Sequence, residues 1–145
     1  DKEILKNYDY TRIYIKSIRY LFENVPKRQH RLLGNYFKLL PYAHRQTNIL
    51  CWNPDSNEQD ILPLSSKDLQ NILSMHRHTI ESFINKMLDV KLETGESIII
   101  FVKNNRNNNK LPSFLNPKVL YGGNFDVKND EYKTSLIYGF KQLDN

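Results

Sequence analysis

Apolar residues recur along this chain in two rhythms, one with the period of a strand and one with that of a helix. From residue 11 to 18 they alternate loosely, Ile13 and Ile15 against Arg12 and Lys16, which predicts a short strand. Ile18 to Phe22 can open a turn of helix before Asn24. Pro26 suits a first helical position; Leu32, Leu33, Tyr36, Phe37 and Leu40 then follow at helical spacing until Pro41 closes the run. A first amphipathic helix over residues 26–40 is therefore expected. Ile49, Leu50 and Trp52 mark a brief strand over 47–52, and 53–63 is polar, acidic and loop-like.

Residues 64–88 read as two helices joined by a short turn. Ser65 has the marks of an N-cap: its hydroxyl can accept from the Asp68 amide, and Asp68 stands at the position of a capping-box carboxylate. Leu64 and Leu69 can form the hydrophobic staple, and Leu69, Ile72 and Leu73 give this helix one apolar face. The pattern then breaks at Ser74, Met75 and His76, with Met75 as the one apolar residue able to point into the angle between the helices. His76 occupies the position where Ser, Asn or Asp would ordinarily cap. The second helix spans 77–88. Ile80, Phe83, Ile84, Met87 and Leu88 share its buried face, while His78, Glu81, Ser82 and Asn85 lie opposite, flanked by Arg77 and Lys86. This is the layout of a helix-turn-helix, whose second helix presents polar side chains to base edges in the major groove. Arg can pair bidentately with guanine, Asn with adenine, and Ser with either donors or acceptors.

A strong strand signal follows at 97–102, with the run Ser-Ile-Ile-Ile-Phe-Val. Residues 104–112 hold five Asn together with Arg106 and Lys110 and predict an exposed loop. Residues 114–121 return as a strand that ends at Gly122 and Gly123. The sequence 125–145 adds a short helix or strand near 136–140. No internal repeat and no domain boundary is visible. The whole of 1–145 therefore reads as a single α+β winged-helix domain: a three-helix core, a small antiparallel sheet, a helix-turn-helix at 64–88, a wing hairpin at 97–121 and a C-terminal extension at 125–145.

Charge sharpens this picture. The formal net charge is only +5, a weak pointer to polyanions by itself. Its distribution is uneven. Residues 1–46 carry ten Lys or Arg against four acids, and between Glu96 and Asp126 stand Lys103, Arg106, Lys110 and Lys118 with no acid. Arg106 and Lys110 would sit at the wing tip, where basic loops neutralise phosphates and convey little sequence information. The predicted DNA-binding residues are thus Arg77, His78, Ser82, Asn85, Lys86, Arg106 and Lys110.

Several short motifs carry a family likeness: Thr47-Asn48-Ile49-Leu50, Pro63-Leu64-Ser65, Arg77-His78-Thr79-Ile80, and Phe114-Leu115-Asn116-Pro117-Lys118-Val119-Leu120-Tyr121-Gly122-Gly123. In this order they resemble the winged-helix replication proteins of Gram-positive plasmids and phages, in particular the RepL-type family, over about residues 12–124. The resemblance implies binding to double-stranded DNA in replication or its control. A transcription regulator remains an alternative role, and so does an interaction module that docks on host replication or transcription machinery. Glu81, in the middle of the exposed helix face, keeps the docking reading open. A homodimer also remains open.

Other chemistries find little support. His30, His44, His76 and His78 do not assemble a tetrahedral ligand set by spacing, because two residues apart is wrong for one helical face. Cys51, the single cysteine, cannot form an internal disulfide and reads as a small core residue. There is no phosphate-binding Gly loop or paired-carboxylate motif, so neither an enzyme nor a cofactor is expected. No apolar run reaches the roughly 18 residues of a membrane span, no signal peptide is evident, and the reduced cysteine suits the cytoplasm.

Overall fold

The computed structural model describes residues 11–101, 113–122 and Phe140. Arg106, Lys110 and all but one residue of the C-terminal extension lie outside the described residues. Those described form an α+β structure of four α-helices and two small antiparallel strand pairs. β1 (Arg12–Ile13) is followed by α1 (Ile15–Asn24), α2 (His30–Leu39), α3 (Ser66–Leu73) and α4 (Arg77–Leu88). Strands β2 (Ile99–Phe101), β3 (Ser113–Leu115) and β4 (Leu120–Tyr121) complete the order.

The first departure from the sequence pattern lies at the start. The strand expected over 11–18 ends at Ile13, and a helix begins at Ile15. Ile13 and Ile15, whose alternation suggested the strand, are both exposed. Burial follows the helical period instead: Leu21 is fully buried, with Ile18 and Val25 packed beside it. Phe22 stacks on Phe37 at 5.6 Å between ring centroids, joining α1 to α2. Tyr14 N–H donates to the Val119 carbonyl at 2.9 Å and Ser17 Oγ to the Lys118 carbonyl at 2.7 Å, so the chain leaves β1 already anchored.

The helix expected over 26–40 is also shorter at both ends. Residues Lys27–Gln29 form a single 3-10 turn before His30, and Leu40–Tyr42 form another after Leu39. Such tight turns are common at the ends of α-helices. Within α2, Leu32, Leu33, Tyr36 and Leu39 are all buried, and this helix is the hub on which α1, α3 and α4 pack. The Tyr36 hydroxyl donates to the Ile98 carbonyl at 2.9 Å and pins the helix to the strand layer; burial pushes its phenol above the ordinary range.

The segment 47–52 makes isolated bridges rather than a regular strand. Ile49 pairs with Phe114, Ala43 with Leu50, and Cys51 with Pro63. β3 pairs on its other side with β2, in the register Ile99↔Leu115, Ile100↔Phe114 and Phe101↔Ser113. Across the layer the order is therefore the 48–50 segment, β3, β2. The return strand expected over 114–121 is broken by a turn at 117–119, after which β4 pairs with β1 through Arg12↔Tyr121 and Ile13↔Leu120. Gly122 follows because only glycine fits. A Cβ there would lie 2.3 Å from Arg45 Cγ and 2.9 Å from the Arg45 carbonyl oxygen.

Two buried asparagines hold these short strands together. Asn48, at φ 61°, donates from Nδ2 to the carbonyls of Leu115 and Leu120 at 2.9 and 2.8 Å. Asn116 donates to the Ser97 carbonyl at 2.8 Å and accepts from Lys118 N–H at 2.9 Å. Both belong to the short motifs that carry the family likeness; in the fold each is a backbone fastener.

Candidate nucleic-acid interface

The helix pair forms at the residues the pattern indicates, for visible local reasons. Ser65 Oγ accepts from Asp68 N–H at 3.1 Å while Asp68 Oδ2 accepts from Ser65 N–H at 2.8 Å, a complete capping box. Leu64 and Leu69 are buried beside it. α3 stops at Ser74, which takes the left-handed conformation at φ 53°. Met75 N–H then closes back on the Gln70 carbonyl at 2.9 Å, the hydrogen bond that ends a helix and turns the chain. Met75 is partly buried against the core, as its place in the turn requires.

α4 starts at Arg77 with His76 at its N-cap. The imidazole makes no capping hydrogen bond, so the first-turn amides are left without a side-chain acceptor. Ile80, Phe83 and Met87 are buried against α2 and α3, with Ile84 and Leu88 half-buried. Each fully buried side chain of this kind contributes about 1.5–3 kcal/mol, which fixes the roll of α4 about its axis. At about 100° per residue, His78, Ser82 and Asn85 fall within about 60° of one another on the opposite side. All three are exposed, as are Arg77 and Lys86. The five predicted residues of α4 are thus all exposed, with His78, Ser82 and Asn85 central and Arg77 and Lys86 at opposite edges about half a turn apart, while Arg106 and Lys110 lie outside the described residues.

The two edges of the arc differ in charge. On one edge Arg77 Nε lies 3.9 Å from Glu81 Oε1, both well exposed. An exposed pair of this kind contributes about 0.3–0.5 kcal/mol, so the arginine is only loosely held. The other edge, carrying Thr79, Ser82 and Lys86, lines a groove of about 770 Å3 whose far wall is Arg28, Arg31, Gly34, Asn35 and Lys38. No Asp or Glu lines this groove. Arg28, Arg31 and Lys38 were not among the residues singled out from sequence. Their signal was a stripe at spacings of three and seven, Arg28 in the 3-10 turn before α2 and Arg31 and Lys38 on the side of α2 that Leu33 and Tyr36 leave free.

One cation of the acid-free tract is already spent. Lys118 Nζ lies 2.7 Å from Oε1 of the buried Glu96, which also accepts from the Thr94 hydroxyl. The pair locks the loop before β2 to the turn before β4 and takes Lys118 out of any polyanion surface. Cys51 is buried, and burial pushes its thiol upward. His44 is also buried; one ring nitrogen bonds the Ser56 carbonyl at 2.7 Å, and the other receives the amides of Gln46 and Thr47 at 3.3 Å. Among the described residues no group of three His, Cys, Asp or Glu could hold a metal ion, and no helix is long and apolar enough to cross a membrane.

No protein-family model matches the chain, and no curated protein or solved structure matches it at a significant level.

Proposed function

We propose that this chain is a winged-helix protein that binds double-stranded DNA, reads the major groove with α4, and serves phage or plasmid replication or transcription control. The observation that carries the reading is the outward arc of α4. A helix rolled by Ile80, Phe83 and Met87 presents His78, Ser82 and Asn85 together, with Lys86 on its basic edge. These are side chains suited to base edges and phosphates, held on a rigid element after a turn of helix-turn-helix length. The strand order lends support: a pairing segment between α2 and α3, then β2 and β3 after α4, with β3 in the middle, is the order of a winged helix.

The test is selection of bound sequences from random duplex DNA, followed by competition with single-base variants. Asn85→Ala or Arg77→Ala should cost roughly 1–3 kcal/mol at one position of the selected site and leave the salt dependence of non-specific binding nearly intact. A wild-type protein without sequence preference, even at low salt, would sink the reading. The second reading, a module that docks on a host replication or transcription protein, draws on the exposed Arg77–Glu81 pair. A carboxylate on the reading face repels phosphate and suits a protein surface.

A further inference from the structure

We infer that the groove between α2 and α4 is a second DNA contact, one that seats a single phosphodiester strand of the duplex whose bases α4 reads. The inference rests on the DNA-binding reading and extends it to residues outside the helix-turn-helix.

Three observations converge. The groove has cations on both walls, Arg28, Arg31 and Lys38 on one and Lys86 on the other, and no carboxylate lines it. None of these four has an ion-pair partner among the described residues, so no described carboxylate compensates their charge. Second, the groove is also lined by residues with neutral donors, the hydroxyls of Thr79 and Ser82 and the Asn35 amide. Phosphate oxygens accept from such side chains as well as from Arg and Lys. Third, Gly34 stands in the wall between Arg31 and Lys38, in the middle of α2. A Cβ there would meet nothing within 4 Å, so no packing among the described residues calls for glycine. Glycine within a helix is unfavourable relative to alanine, and one reason to keep it is close approach of another molecule to the backbone. A phosphodiester strand lying over Gly34, between cations spaced one and two helical turns apart, satisfies all three.

The occupant is the duplex backbone rather than an acidic peptide, because Ser82 and Lys86 belong both to this groove and to the reading arc of α4. A strand in the groove runs directly beside a major groove occupied by α4.

The experiment is equilibrium binding to the selected duplex by fluorescence anisotropy over a range of salt, with thermal melting of each variant. Arg31→Ala/Lys38→Ala should flatten the slope of log affinity against log salt by roughly two units. Gly34→Leu changes no charge. It should melt no lower than wild type, keep the salt slope and lose at least about tenfold in duplex affinity, an outcome that a purely structural role for Gly34 does not give. Wild-type affinity in Gly34→Leu, or an unchanged slope in the double variant, overturns the groove. If Asn85→Ala still alters base preference in that case, α4 reading stands and only the groove falls. If the wild type binds no duplex, or binds poly-glutamate more tightly than duplex, both readings fall together.

Discussion

Replacing Asn48 perturbs two parts of the fold through one side chain. Its amide bonds the carbonyls of Leu115 and Leu120 at 2.9 and 2.8 Å, and its own carbonyl accepts from Leu115 N–H at 3.0 Å, all at zero exposure. Its φ of 61° places it in the left-handed region, which Asn tolerates better than most residues with a Cβ. Alanine therefore loses two side-chain hydrogen bonds, about 0.5–1.5 kcal/mol each, and carries up to about 1–2 kcal/mol of left-handed strain. The sum is about 2–5 kcal/mol, a large share of a typical domain stability of roughly 5–15 kcal/mol. Glycine loses the same bonds without the strain and should fall short of alanine's cost. Aspartate keeps the shape but aims an acceptor, charged at neutral pH, at two carbonyl oxygens, and should be the worst of the three. Urea titration by circular dichroism ranks them, with a constant slope m confirming that stability alone has changed. Asn48→Asp unfolding at the wild-type midpoint, or Asn48→Ala proving more stable than Asn48→Gly, would refute the hydrogen-bonding and strain assignments.

Two further substitutions probe α4. Ile80 has no exposed surface, so Ile80→Asp buries an unpaired carboxylate and should abolish the cooperative melting transition; an unchanged melting temperature would mean that α4 does not pack as described. Glu81→Gln releases Arg77 and removes a negative charge from the reading face, so duplex affinity at low salt should rise about three- to tenfold as one repulsion is lifted. A fall in affinity would place Glu81 among the contacts rather than the repulsions.

The elements with strong local signals were legible from residue order. Ser65 with Asp68 fixed the start of α3 because a capping box is a contact between near neighbours. The helix predicted over 77–88 is α4 residue for residue, since its apolar spacing leaves one face to bury. The first strand was misjudged because the alternation of Ile13 and Ile15 runs straight into the helical spacing of Ile18, Leu21 and Val25, so that the expected strand and the helix share residues 15–18. Which pattern wins depends on what covers each face, and α2 covers only the second.

The candidate site divides in the same way. Residue order alone determined the outward arc of His78, Ser82 and Asn85, because helical periodicity assigns faces without knowledge of the neighbours. The basic groove was decided by tertiary structure. Arg28, Arg31 and Lys38 stand about 40–60 positions before Ser82 and Lys86, and they face one another only because Leu33 and Tyr36 seat α2 in the core beside Ile80 and Phe83. The same packing withdrew Lys118 from the basic surface by setting it against Glu96, 22 residues away. Charge counted along a chain gives the number of cations; the fold decides which of them remain unpaired and on which face they meet.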